Sequence, residues 1–206
     1  MGNRDEEHKI HVLTYVDYSK KYGLGYLINN KQYGVYFNDE TLISTDTESK
    51  KVYFIDNPAG KEEKINSYTS ENIPKDRDFQ KKYMLLERFM THLNDDATKL
   101  PESKVIYHKN SEFIYMKQWL KTRHAIMFGM SNKIFQVNFF DNSQIILNTE
   151  KKTVLFHSKK GDVVYETLSN ALQASDSEMA RRIKYTKEIL NSIKQRREER
   201  PDDIQN

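Results

Sequence analysis

Residues 25–39 read Gly25-Tyr26-Leu27-Ile28-Asn29-Asn30-Lys31-Gln32-Tyr33-Gly34-Val35-Tyr36-Phe37-Asn38-Asp39. Gly25–Ile28 is a short apolar and aromatic run. It stops at Asn29-Asn30, residue types that tolerate positive φ and so close tight hairpins. Tyr33–Phe37 returns as a second run of the same kind, and Asn38-Asp39 closes again. Strand, turn, strand, turn at this spacing leaves no room for crossover helices, so the arrangement is an antiparallel meander.

Working outward, His11–Val16 adds a strand before this unit. A short strand near Leu42-Ile43 follows it, then Lys51–Ile55 and Lys64–Tyr68, split by the loop Asn57-Pro58-Ala59-Gly60. The period then changes. Tyr83, Leu86, Phe89, Met90 and Leu93 recur at helical spacing, which predicts a helix over Phe79–Leu93 with Asn94–Thr98 ending it. The second half repeats the plan. Glu112–Leu120 (around Trp119), His124–Met130, Ile134–Phe140, Gln144–Leu147, Thr153–His157 and Val163–Thr167 read as strands. Ser131-Asn132, Asp141-Asn142-Ser143 and Gly161-Asp162 read as turns. Ser175 and Glu178 form a capping box. The helix that follows carries Met179, Ile183, Ile189, Leu190 and Ile193 on one face and runs toward Arg200.

Tyr36-Phe37-Asn38-Asp39 can be laid on Phe139-Phe140-Asp141-Asn142, half a chain away, which places Asn29-Asn30 on Asn132-Lys133. An internal duplication explains this. The expected fold class is α+β: two copies, each a six-stranded antiparallel sheet plus a C-terminal helix, packed together with a cleft between. A lone sheet with one helix buries too little to stand alone. The expected boundaries are a flank over 1–10, the first copy over 11–98, a linker over 99–111, the second copy over 112–200 and a tail over 201–206.

Composition narrows the function. Of 206 residues, 37% are hydrophobic and 12% aromatic, which argues against disorder over most of the length. The absence of cysteine excludes disulfides, cysteine-ligated zinc and cysteine nucleophiles. Basic residues exceed acidic ones by only 33 to 30, too balanced to mark a nucleic-acid binder. Lys194-Gln195-Arg196-Arg197, followed by Glu198-Glu199, reads as a solvated helix end. Met1–His8 lacks a signal-peptide core, and no apolar run approaches the ~20 residues of a membrane span, so a soluble intracellular segment is expected. The six histidines show no metal-ligand spacing. Asp17 and Asp95-Asp96 read as a loop contact and a helix end, and Gly23-Leu24-Gly25 as a tight turn. Most of the 13 tyrosines fall on alternating strand positions, where they pack on sheet faces. The kinase strings His-Arg-Asp and Asp-Phe-Gly are absent. No catalytic residue, metal or cofactor is expected.

Tyr15-Val16-Asp17-Tyr18-Ser19-Lys20-Lys21-Tyr22-Gly23-Leu24-Gly25-Tyr26 and Gly34-Val35-Tyr36-Phe37-Asn38-Asp39 resemble the first polo box of polo-like kinases. Trp119-Leu120-Lys121-Thr122-Arg123 and Gln136-Val137-Asn138-Phe139-Phe140 resemble the second. The likeness runs from about residue 11 to 193. It implies a non-catalytic module that docks Ser/Thr-phosphorylated partner peptides between the boxes. The parent protein would then be a Ser/Thr protein kinase whose own kinase domain is a further partner. It implies cytoplasm and nucleus, centrosome or basal body and spindle structures as locations; no membrane partner is expected, and the balanced charge argues against nucleic acid.

Carried over residue by residue, the resemblance makes Leu13, Tyr15, Asp17 and Phe140 peptide-binding positions. Tyr15 stands where the family has a tryptophan. Val16, Tyr22, Leu85 and Phe89 map onto a hydrophobic side groove. Asn142 and Gln144 fall where the family holds phosphate with a His-x-Lys pair. Neutral amides forgo charge-assisted hydrogen bonds of ~1.5–3 kcal/mol each, and Asp141 beside them is expected to add repulsion. Lys117, Lys121 and Arg123 are the candidate compensating cations. The altered pair raises the alternative of a phosphate-independent docking or self-association module.

Overall fold

The computed structural model describes residues 10–60, 63–101, 105–108, 112–173 and 177–198, with side chains to 192. Most of the expected flank, the tail, parts of the linker, the cap residue Ser175, the Ile193 side chain and the basic run from Lys194 lie outside the described residues or side chains.

The first six strands are β1 (Val12–Tyr18), β2 (Gly23–Ile28), β3 (Gln32–Phe37), β4 (Thr41–Asp46), β5 (Lys51–Asp56) and β6 (Lys64–Thr69). They pair antiparallel in sequence order as one six-stranded sheet. Helix α1 (Arg77–Thr98) follows. The second sheet, also six-stranded and in sequence order, comprises β7 (Met116–Lys121), β8 (Ala125–Met130), β9 (Ile134–Phe139), β10 (Gln144–Asn148), β11 (Thr153–His157) and β12 (Val163–Thr167). Then come α2 (Leu168–Gln173), a short helix that hydrophobic spacing does not reveal, and α3 (Glu178–Glu198).

The alternation along the strands sorts side chains into three cores. Leu24, Tyr26, Ile28, Leu42 and Ile55 of the first sheet meet Met116, Ile126, Phe128, Ile134 and Ile146 of the second in a shared core. The opposite face of the first sheet is covered by Phe79, Leu86, Phe89, Leu93 and Ala97 of α1. The opposite face of the second is covered by Ala171 of α2 and by Met179 and Ile183 of α3. The order of layers is helix, sheet, sheet, helix. Each large side chain removed from water in this way contributes ~1.5–3 kcal/mol. Gly25 lets the Phe89 ring of α1 lie against the sheet, because a Cβ there would lie 2.2 Å from Phe89 Cδ1.

The duplication is real, but its register is shorter by one residue than the Phe37–Phe140 alignment. Left-handed backbone recurs at Lys31 and Lys133, Glu40 and Asn142, and Lys50 and Lys152. Phe37 therefore matches Phe139, and Asp39 matches Asp141. Both aspartates accept from the residue two further on, Thr41 and Ser143, through its amide and its hydroxyl. In β1 and β7 the equivalence differs again. Their bulges, at Leu13 and Lys117, set Val12 against Met116, so the β1–β2 turn is the longer of the two.

Each helix is tied to its own β-turn by the same device. Lys82 lies 2.7 Å from Asp39 and 3.0 Å from Asp78, over the Phe37 ring. Arg182 contacts Asp141 and lies 3.6 Å from Glu178, over the Phe139 ring.

Several boundaries differ from those expected. Helix α1 continues through Asn94–Thr98 because tertiary anchors hold that stretch: Tyr33 donates its hydroxyl to Asn94 Oδ1 at 2.5 Å, and Ala97 is buried. Asp95 and Asp96 therefore sit within the helix. At its start, Asp76 caps the amide of Phe79 at 2.9 Å. Strand β1 extends to Tyr18, paired with Gly23, so Asp17 is a strand residue. Strand β7 begins at Met116, because the preceding residues bond elsewhere: the Ile114 amide goes to Gln32 Oε1 of the first sheet. His124 belongs to the β7–β8 turn, where its amide donates to Thr122 Oγ1. Helix α3 takes a cap from Ser177, whose hydroxyl accepts the Ala180 amide at 3.0 Å.

Candidate functional site between the two sheets

Strand β1 is the end strand of its sheet, and among the described residues no strand pairs with its far edge. It lies against the second sheet along its whole length. At its start, Val12 gives its amide to Gln136 Oε1 at 2.8 Å and accepts Gln136 Nε2 at 2.9 Å, reaching β9. At its middle, Tyr15 meets Phe128 of β8, ring centroids 5.4 Å apart. At its end, Asp17 meets Lys121 of β7 at 2.6 Å. Alternation explains the selection: the bulge at Leu13 shifts the phase, so Val12, Tyr15 and Asp17 face the second sheet. Leu13 and Val16 turn to α1 instead.

Both Asp17 oxygens are occupied. Oδ2 takes Lys121, and Oδ1 takes the amide and hydroxyl of Ser19 at 3.0 and 2.6 Å. Burial opposes ionisation of this carboxyl, but these three donors outweigh it and hold its pKa near about 2. Burial similarly pushes the Tyr15 phenol upward, partly offset by Lys121.

Gln144 and Asn142 belong to the hairpin β9–β10. Gln144 gives Nε2 to Asn138 Oδ1 at 2.9 Å, and Gln136 gives the same oxygen a second hydrogen bond at 3.0 Å. A chain of neutral amides thus runs from Gln144 through Asn138 and Gln136 to the backbone of β1. Asn142 is the left-handed residue of the turn, its amide bonded to Phe139 O at 3.1 Å. Phe140 is 49% exposed on the same turn. Asp141 adds no repulsion to this region: its turn geometry directs one carboxylate oxygen to Ser143 and the other to Arg182 of α3. Burial opposes its ionisation, but Ser143 and Arg182 keep the carboxyl below its ordinary range.

The three candidate cations are spread apart. Lys121 reaches across the cleft to Asp17. Lys117 turns to Glu63, 3.1 Å away in the β5–β6 connection. Arg123 gives Nε to His124 Nε2 at 2.7 Å in the β7–β8 turn. Of the side-groove residues, Tyr22, Leu85 and Phe89 do converge, lining a cavity of about 130 Å³ with Tyr18, Arg88 and His92. Val16 packs into the same core without lining it. Arg88 and His92 continue the face of Leu85 and Phe89 at i, i+3, i+4 and i+7, which was the available signal. For Gln136 and Asn138 the signal was two amides at consecutive inward positions of an otherwise apolar strand.

The family model described as "POLO box duplicated region" matches residues 20–83 and 122–183, one segment in each sheet unit. The chain belongs to the polo-box family. The probable serine/threonine-protein kinase CCRP1 of Zea mays is 36% identical over 153 residues, covering 74% of this chain and 24% of that protein. The probable serine/threonine-protein kinase PLK of Dictyostelium discoideum is 30% identical over 202 residues, covering 85% of this chain and 20% of that protein. The chain thus spans a quarter or less of these relatives' length. Among solved structures, the budding yeast Cdc5 polo-box domain in complex with the Dbf4 polo-interacting region superposes with a TM-score of 0.71 at 18% identity. That match covers 89% of this chain and 72% of that one. The same domain in complex with an Spc72 phosphopeptide gives 0.67, at 18% identity, over 92% and 76%. These likenesses confirm the fold: two polo boxes, each a six-stranded sheet with its helix.

Proposed function

We propose that this polo-box pair is a protein-docking module that takes an extended segment of a partner protein along the far edge of β1, in the manner of β-augmentation. The observation that carries this reading is the far edge of β1, which no strand pairs among the described residues and which Gln136 occupies at Val12, in a strand whose start, middle and end are each fixed to the second box. Beyond Val12 such an edge can take a peptide backbone without displacing Gln136. Tyr15 supplies an aromatic surface, and Gln144, Asn138 and Gln136 supply neutral hydrogen bonding. The Cdc5 domain seen with an Spc72 phosphopeptide supports peptide docking as the mode. The relatives, all kinases by name, support a parent Ser/Thr kinase; that the module targets and restrains this kinase, with spindle-pole or centrosomal structures among its destinations, is part of the same proposal.

The cleft reads backbone and shape more than phosphate. Asn142 and Gln144 carry no charge, and Lys121 is already neutralised by Asp17. The test is fluorescence anisotropy with paired Ser-pSer/pThr and Ser-Ser/Thr peptides at moderate salt, alongside Tyr15→Ala and Lys121→Ala. Equal binding of both peptides, lost in Tyr15→Ala, is the expected result; no binding of either overturns the docking reading. A second reading has one observation in its favour, the half-exposed Lys121 ammonium: a phosphate displaces Asp17 and takes its cation. Strong phosphate preference, abolished by Lys121→Ala, would select it.

A further inference from the structure

The polarity of the amide chain in the cleft is fixed from the backbone outward, because a peptide N–H only donates and a peptide C=O only accepts. The Val12 amide requires Oε1 of Gln136, at 2.8 Å, and the Val12 carbonyl requires Nε2, at 2.9 Å. Gln136 Nε2 gives its second proton to Asn138, so the Asn138 atom 3.0 Å away must be the side-chain oxygen. That oxygen is already an acceptor, so the Gln144 atom it meets at 2.9 Å must be Nε2. No amide of the chain can flip by itself without setting two donors or two acceptors face to face. Two polar atoms are left at its outer end: Gln144 Oε1, an acceptor, and Asn138 Nδ2, a donor. Neither has a partner among the described residues, and both residues are half-buried.

Strand register shows what surrounds these two atoms. Lys121, Ile126, Asn138, Gln144 and His157 are successive cross-strand neighbours in one row from β7 to β11. Lys121 starts three strands from Gln144, ~14 Å at the usual strand spacing, and is held by Asp17. His157, on the other side of Gln144, is itself engaged. A carboxylate or a phosphate dianion offers acceptors only, so Gln144 Oε1 has nothing to take from it. A primary carboxamide offers an N–H and a C=O together, and so matches Gln144 Oε1 and Asn138 Nδ2 at once. We propose that Gln144 and Asn138 select an Asn or Gln side chain of the docked segment, Gln144 by accepting from its N–H and Asn138 by donating to its carbonyl. The path of the segment along β1 rests on the cleft reading above; the acceptor and donor themselves follow from the polarity of the amide chain.

The test separates the two. The unphosphorylated Ser-Thr peptide of the cleft assay is prepared with its threonine replaced by Asn, Asp or Ala, and each is titrated into the 206-residue chain by fluorescence anisotropy. The Asn peptide should bind ~10-fold more tightly than the Asp and Ala peptides, the worth of two neutral hydrogen bonds. Gln144→Lys keeps a donor for Asn138 Oδ1 but removes the acceptor, so it should reverse the order and favour the Asp peptide; a merely structural role for Gln144 would weaken all three alike. In parallel, the side-chain NH2 resonances of Asn138 and Gln144 are followed by NMR with N-acetylasparagine N-methylamide and its aspartate analogue, which need no strand pairing. Saturable shifts with the asparagine compound alone are expected. Equal affinity for the Asn and Asp peptides, or an unchanged order in Gln144→Lys, overturns the proposal and leaves the cleft reading standing. If no peptide binds while the asparagine compound alone shifts those resonances, the cleft reading falls and the selection by Gln144 and Asn138 stands. Absence of both peptide binding and selective shifts overturns both.

Discussion

Replacing Gln136 by alanine tests the junction of the two boxes at its most buried point. The side chain is fully buried and makes three hydrogen bonds: two to the backbone of Val12 and one to Asn138. Val12 is 1% exposed, so its amide and carbonyl have little access to water once the partner is gone. An orphaned buried polar group costs ~1–3 kcal/mol, and two are created. Partial hydration through the cavity left behind reduces the sum, so ~2–4 kcal/mol of destabilisation is expected. Urea unfolding followed by tryptophan fluorescence measures it, since Trp119 packs at the edge of the shared core. Gln136→Glu is a sharper version, because a carboxylate would face Val12 O and Asn138 Oδ1 with no proton to give; it should cost at least as much as alanine. A loss under ~1 kcal/mol in both variants would refute the claim that this amide joins the boxes.

Three further outcomes follow from the same geometry. Asp17 has a lowered pKa in the folded protein, so its contribution is full above its ordinary value of 3.8 and fades as pH falls toward about 2. Asp17→Asn should remove ~1 kcal/mol or less at neutral pH, since Lys121 is half exposed, and should flatten the stability profile between those limits. Gly25→Ala drives a methyl group into the Phe89 ring and should cost ~1–3 kcal/mol by thermal melting, with recovery when Phe89 is shortened to leucine. Tyr33→Phe removes the hydroxyl that holds Asn94; a loss of ~1 kcal/mol is expected, with hydrogen exchange accelerated in the last turn of α1 but not in its first.

The strands were legible because their turns are chemically marked and their faces alternate. Asn29-Asn30 and Ser131-Asn132 mark hairpins in both halves, and the left-handed residue of each turn, Lys31 or Lys133, directly follows. The edges of elements were less legible wherever a distant residue decides them. Nothing local to Asn94–Thr98 favours helix, and the stretch is held by Tyr33, 61 positions away in the chain. Nothing local to Glu112–Tyr115 argues against strand, yet its backbone is claimed by Gln32. The site divided along the same line. Tyr15 and Asp17 were picked out by the resemblance alone, Asp17 reading otherwise as a loop contact, and Leu85 and Phe89 were legible as one helical face. The destinations of Lys117, Lys121 and Arg123 were not, because a long flexible side chain chooses its partner from the assembled surface. Asp141 shows the point most plainly: adjacent to Asn142 in sequence, it spends its charge on a helix forty-one residues further on.

The reciprocal grips of the two glutamines bear on ancestry. Gln32 of the first box holds the chain leading into β7, and Gln136 of the second holds β1. In the matched register Gln32 corresponds to Ile134, and Gln136 to Gly34, so neither grip has a counterpart in the other copy. Gly34 has no room for one, because a Cβ there would lie 2.3 Å from the Tyr26 ring. A symmetric pair of identical boxes would carry both grips twice or neither. The asymmetry of the handshake is therefore a product of the divergence of the two halves. A box severed from its sister loses both its apolar wall and a clasp that no second copy of itself can replace.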